Sequence, residues 1–206
     1  MQLQIGFAAA QDAGDIVAVF KTNHTKISMM HTRTPIPSQG QMQQQIQEIS
    51  REYPFLVCRL EDRILGYCYA HPGVADATVD YDVEFYVAVD RSVSGCGIAT
   101  GLVTALTDLL RKQNVQRMFG KVQVPNARAE QLLIHFKFAL SNHFYSEACM
   151  CGQKHEILWF DKWIHDFSKT PPAFRPIGTL SAEELTQAFD AGCGCIDTDD
   201  LEFCLE

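Results

Sequence analysis

Apolar positions recur at two spacings along this chain, and the switches between them mark its elements. At Val83, Phe85, Val87 and Val89 every second residue is apolar and mostly β-branched, the pattern of a strand. From Ile98 the spacing lengthens through Leu102, Val103, Leu106, Leu109 and Leu110, one face of a helix. A short turn, Ser94-Gly95-Cys96-Gly97, lies between them. The same reading predicts strands over 2–9, 55–60, 64–71, 115–124, 138–150 and 155–164, the last two as a hairpin turning at Gly152. It predicts helices over 12–22, 39–52, 97–113 and 127–137, with loops over 23–37 and 72–80. Strands and helices in this order imply an α/β fold, a mixed sheet with helices on its faces.

Beyond Ile164 the pattern changes. Pro171, Pro172 and Pro176 mark a linker, and Ser181-Ala182-Glu183-Glu184 is a capping box opening a short helix to Ala191. The end, from Asp197, is acidic, yet Phe189, Ile196, Leu201 and Phe203 favour docking over disorder. The expected division is a main domain over 1–165 and a C-terminal extension over 166–206 with a linker and one short helix.

Composition narrows the function. A length of 206 residues with 47% hydrophobic residues suits one cored domain with an appendage. A formal charge of −8 speaks against a nucleic-acid surface. No apolar run approaches the ~18 residues of a membrane span, and the N-terminus does not read as a secretion signal, so a cytoplasmic protein is expected. The eight cysteines are then reduced thiols. Cys149-x-Cys151 and Cys193-x-Cys195 lack the usual zinc spacing, and no metal site is expected.

Strand, glycine turn and helix together form a phosphate-binding arrangement. Glycines let the backbone approach an anion, and the free N–H groups of a helix start point at it. The third glycine of a dinucleotide fingerprint is missing, and so is the Gly-Lys-Ser/Thr of a P-loop. Glu84, within the strand, could serve as a base at the reacting end of a phosphorylated cofactor.

Several segments in order resemble the GNAT superfamily of N-acetyltransferases, and within it the phosphinothricin (methionine sulfoximine) acetyltransferase group. They are Tyr53-Pro54-Phe55-Leu56-Val57 with Gly66-Tyr67-Cys68-Tyr69-Ala70, the stretch Glu84 to Ala99, and Val124-Pro125-Asn126 through Phe138. Glu147 and Gly152 add a glutamate and a glycine of the final hairpin. The resemblance spans about Ala8 to Trp163. It implies the GNAT fold, a mostly antiparallel mixed sheet flanked by helices, with acetyl-CoA as co-substrate. It implies that the main chain of Val87, Ala88 and Val89 pairs with the pantetheine. Ser94, Gly95, Cys96, Gly97, Ile98, Ala99 and Thr100 would hold the pyrophosphate, and Asn126 would touch the cofactor. Glu84 would be the general base, the substrate a small-molecule amine, and the assembly a homodimer with the 23–37 loop near the substrate.

Three departures bear on this expectation. Ser94 stands where the family usually has Gln or Arg and Cys96 where Arg is common, and the loss of one or two cations should weaken phosphate binding. Leu133 stands where a tyrosine or histidine often serves as general acid. The 72–80 loop has no arginine for a substrate carboxylate but holds Asp76 and Asp80. A small cationic or neutral amine is therefore expected rather than phosphinothricin. The alternative is a catalytically weak module of this fold that binds acyl-CoA or a protein.

Overall fold

A computed structural model describes residues 3–23, 36–73, 81–146, 155–165 and 170–205. The 23–37 and 72–80 loops fall largely outside these residues, as do Glu147, Cys149, Cys151 and Gly152. Among the described residues seven strands form one sheet: β1 (Leu3–Phe7), β2 (Phe55–Leu60), β3 (Arg63–Pro72), β4 (Asp82–Val89), β5 (Arg117–Gln123), β6 (Ala139–Ser146) and β7 (His155–Trp163). Their order is β1-β2-β3-β4-β5-β7-β6. Only β4 and β5 run parallel; every other pair is antiparallel. This is the mixed, mostly antiparallel sheet that the sequence predicts.

Among the described residues six helices flank the sheet: α1 (Ala13–Asn23), α2 (Gln39–Ile49), α3 (Ile98–Lys112), α4 (Ala127–His135), α5 (Ala182–Cys193) and α6 (Thr198–Leu205). Strand alternation sorts the core into two clusters. Ile16, Val17 and Val19 of α1 and Met42 and Ile46 of α2 pack with Phe55, Val57, Tyr67 and Ala88 on one face. The other face is larger, with Leu102, Leu106, Leu109 and Leu110 of α3 against Leu56, Cys68, Val83 and Phe85.

The extension carries two helices where the sequence predicts one. The acidic end is α6, whose start is capped by Asp197 Oδ1, accepting from Asp199 N at 3.0 Å and Asp200 N at 3.1 Å. The capping box of α5 forms as expected, with Ser181 Oγ accepting from Glu184 N at 3.2 Å and Glu184 Oε2 accepting from Ser181 N at 2.8 Å. Arg175 ties the linker down. Its N–H donates to Gln113 O at 2.9 Å, and its guanidinium reaches Glu184 Oε1 at 2.9 Å. Gln113, fully buried at the end of α3, donates in turn to the carbonyls of Glu52 and Arg175.

Helix α5 crosses α3 at backbone distance. A Cβ on Gly101 would lie 2.5 Å from the Gly192 carbonyl, and one on Gly192 would lie 2.7 Å from the Gly101 carbonyl. Gly97, Gly101 and Ala105 recur every four residues, so they form one smooth stripe on α3. The far side of α5 reaches β1, where the rings of Phe7 and Phe189 meet edge to face at 5.3 Å.

Candidate active site

The site grows from the parting of β4 and β5. Their ladder pairs Asp82 with Arg117, Val83 with Met118 and Glu84 with Phe119, and ends there. Strand β4 continues to Val89 bonded to β3 alone. Main-chain groups of a strand alternate sides. Asp82 O and Asp90 N both bond to β3, at Gly73 N and Leu65 O, whereas Tyr81 O faces β5. The groups of Phe85, Val87 and Val89 therefore face the gap that β5 has left. One of them is already bonded: Asn23 Nδ2 of α1 donates to Val89 O at 2.7 Å.

Glu84 sits at the mouth of this gap, on the α1 face of the sheet. Its side chain is 17% exposed, and Oε2 lies 2.6 Å from Lys121 Nζ. Lys121 in turn stands over the Trp159 ring, 4.4 Å from its centre, a cation–π contact. Tyr86 is next on the same face of β4, and His71 lies opposite Glu84 on β3. Tyr86 stacks on Tyr69 at 5.5 Å, and Tyr69 on His71 at 6.0 Å. Burial pushes the Tyr69 hydroxyl up to about 12 and raises Tyr86 as well, so both remain neutral hydrogen-bonding groups at pH 7. Among the described residues the carboxylate thus pairs with the Lys121 ammonium, on a sheet face that it shares with the neutral phenols of Tyr69 and Tyr86.

Lys121 is the member of this group that sequence reasoning missed. A lysine in a strand reads as a solvent-facing charge, and 37 residues separate it from Glu84. Only the parallel register of β4 and β5 brings the two together.

The turn after β4 has the geometry that its glycines predict. Gly95 adopts φ +108° and Gly97 φ +80°, both left-handed, and Gly97 is the N-cap of α3. The first N–H groups of α3, at Ile98, Ala99 and Thr100, have no carbonyl within the helix to bond. Asn126 caps α4, its Oδ1 accepting from Ala129 N at 3.2 Å. Leu133 is buried, and a Cβ on Gly120 of β5 would lie 3.0 Å from both Leu133 Cδ2 and Phe85 Cε1. Leu133 belongs to the apolar core on the α3 face of the sheet, with Phe85.

In chain order the path runs from Glu84 at the end of the ladder, through Val87 and Val89 on the unpaired edge of β4, to Ser94–Thr100 at the turn and the start of α3, while Ala88 is buried against the α1 face and Asn126 opens the helix after β5. Cys96 departs from this path. Its side chain is buried and turned toward α6, with Sγ 3.4 Å from Cys204 Sγ.

A parted parallel strand pair with a glycine turn feeding a helix is the frame of an acyl-transfer fold, and the sequence comparisons agree. Residues 6–138 match the Acetyltransferase (GNAT) family, and the chain belongs to that family. Its members are N-acetyltransferases that use acetyl-CoA as co-substrate. An N-acetyltransferase from Streptomyces griseus is 27% identical over 101 residues, so the chain spans about half the length of that relative (52%) and 49% of itself is aligned. A phosphinothricin N-acetyltransferase from Streptomyces viridochromogenes is 23% identical over 167 residues, 80% of this chain and 89% of that one. The crystal structure of a phosphinothricin acetyltransferase from Sinorhizobium meliloti in complex with acetyl-CoA superposes with a TM-score of 0.73 at 19% identity, covering 84% of this chain and 94% of that one. Among the described residues no helix is long and apolar enough to cross a membrane.

Proposed function

We propose that this chain transfers the acetyl group of acetyl-CoA to a small-molecule amine by direct attack, with Glu84 as general base. The observation that carries this reading is the position of Glu84 at the last paired residue of the β4–β5 ladder. There it borders both the open strand edge and the aromatic face.

The residues present fit acetyl-CoA. Val87 offers main-chain groups to a pantetheine amide at the unpaired edge of β4, with Ala88 and Val89 continuing the strand. Ser94 to Thr100 offer N–H groups and a helix start to the pyrophosphate, which needs no basic side chain when backbone dipoles converge on it. Asn126 stands at the opposite wall. When bound, acetyl-CoA supplies an acetyl thioester whose thiolate can depart.

An alkyl ammonium with a pKa of about 10.4 is almost wholly protonated at pH 7, and only its neutral form attacks a thioester. Glu84 takes that proton. Lys121 holds the carboxylate on the sheet face, and the incoming ammonium takes its place. Leu133 is apolar and donates no proton, so the thiolate leaves without a general acid from that position on α4. The aromatic edges of Tyr69 and Tyr86 suit an amine with an apolar body, and the 72–80 segment has no arginine to recruit a carboxylate. A small cationic or neutral amine is the substrate class. Acetylation of methionine sulfone without acetylation of polyamines would overturn that choice.

Glu84→Gln tests the mechanism. Turnover should fall by about 10²–10⁴, the usual worth of a general base, while acetyl-CoA affinity by calorimetry stays within a factor of about two. Unchanged turnover would remove Glu84 from the chemistry. A second reading, a weak module that binds acyl-CoA or a protein, is favoured by Cys96 turning away from the turn. Acetyl-CoA binding with no turnover of any amine, in the parent as in Glu84→Gln, would select it. A homodimer is also proposed, supported by the exposed Phe144, Tyr145 and Trp163 on β6 and β7. Light scattering of a monomeric mass would refute it.

A further inference from the structure

We propose that Cys96 and Cys204 are a redox-modification site, a dithiol that peroxide converts to a disulfide fastening α6 across the cofactor turn. The effect on cofactor binding rests on the reading that Ser94 to Thr100 hold the pyrophosphate; the site itself does not. The two sulfurs are 3.4 Å apart, joining residues 108 positions apart in the chain. The remaining shift to a disulfide is small, because one partner sits on a short helix exposed to solvent. Cys204 is exposed and Cys96 is buried, which gives them different roles.

The geometry around them is particular to this pair. Asp197 N donates to Cys96 O at 3.2 Å, and a Cβ on Gly97 would collide with the Cys195 carbonyl. The extension is therefore already seated on the turn. Cys195, by contrast, bonds to Thr104 and to Ala191 of its own helix, and Cys58 and Cys68 are buried in the sheet. Burial, the contact with Cys204 and the carboxylates of Asp200 and Asp197 push the Cys96 thiol up to about 11. Cys96 is thus a protonated thiol at neutral pH, and peroxide reacts first with the exposed partner.

The chemistry balances in two steps. Cys204 first gives its proton to solvent; its thiolate then attacks hydrogen peroxide, the O–O bond breaks, and a sulfenic acid and hydroxide result, the hydroxide recovering that proton as one water. The Cys96 sulfur then attacks the sulfenic sulfur, the S–O bond breaks, and the hydroxide leaves with the thiol proton as a second water. Both sulfurs are oxidised and the peroxide is reduced. The bond holds Asp197 and Asp200 at the start of α3, where a pyrophosphate needs an electropositive surface. In the reduced chain α6 has no covalent tie to the turn and can yield.

The test treats the reduced full-length chain with hydrogen peroxide, blocks free thiols with iodoacetamide and maps cross-linked peptides by mass spectrometry. A Cys96–Cys204 peptide that dithiothreitol abolishes, and that Cys204→Ser never forms, is the expected result. Calorimetry should then show acetyl-CoA binding weakened about tenfold by oxidation, as for a polyanion facing two fixed carboxylates, and unweakened in oxidised Cys204→Ser. Alkylation of both cysteines after peroxide, or pairing of either with another thiol, would overturn the site. A cross-link with unchanged affinity would overturn its effect on the cofactor. If the reduced chain itself binds no acetyl-CoA, the cofactor reading falls, and the peptide map still decides the dithiol.

Discussion

Gly101→Ala isolates what the crossing of α3 and α5 demands. Helix propensity alone favours the change, by at most about 1 kcal/mol. The structure says the opposite. The new Cβ would lie 2.5 Å from the Gly192 carbonyl and 3.0 Å from Ile196 Cγ1. Ordinary contact begins near 3.4 Å, so the helices must separate by about an ångström, and a backbone carbonyl cannot rotate away as a side chain can. Overpacking of this kind costs about 1–3 kcal/mol. The net expectation is a loss of about 1–2 kcal/mol, or a fall in Tm of roughly 2–8 °C for a chain of this size. Gly40→Ala is the internal control. That glycine is exposed in the first turn of α2 with nothing within 4 Å of a Cβ, so the same substitution should be neutral or mildly stabilising. Both variants are read by thermal melting followed by circular dichroism. If Gly101→Ala melts at or above the parent temperature, the backbone contact between the helices is not what the geometry implies.

Two further substitutions follow. Asp12 is buried, pairs with Arg59 at 2.9 Å and accepts from Ala9 N at 2.7 Å. Arg59→Met leaves its charge with only the backbone donor and should cost about 2 kcal/mol by urea unfolding, whereas a cost below about 0.5 kcal/mol would place the pair among inert surface bridges. Glu184 is held down to about 2 by Arg175 and the start of α5, below its ordinary 4.5. Its carboxylate binds fewer protons folded than unfolded, so its contribution is full above about pH 4.5 and fades as pH falls toward about 2. The Tm gap between the parent and Arg175→Met should narrow through that window; a gap that stays constant would mean that the pair does not set it.

How much of this was legible depends on how far each signal reaches along the chain. Strand β4 and helix α3 were, because alternation at Val83, Phe85 and Val87 and the four-residue spacing from Ile98 are local and strong. The turn between them was legible for the same reason: two glycines in three residues fall where left-handed φ is needed. Helix α6 was missed because its eight residues, TDDLEFCL, are too few to establish a helical period around the fully buried Leu201, which stands among Asp199, Asp200 and Glu202. Lys121 was invisible because its partnership is made by strand register. The stripe Gly97, Gly101 and Ala105 could be seen, but its counterpart at Gly192 lies 91 residues on, and nothing local joins them. Cys96 read as a lost cation; only the placement of Cys204 shows where its side chain goes.

The contact of Phe189 with Phe7 closes the chain on itself, and that has a cost during synthesis. Strand β1 is made before the other described strands, and α5, which covers its outer side, is made after the last of them. Until those late residues leave the ribosome, Ile5 and the smooth side of α3 face water, and the start of α3 stands bare. A nascent chain therefore carries an apolar surface for the whole interval between translating Phe7 and Phe189. Its need for a chaperone should depend on elongation speed over the last stretch more than on anything in the sheet.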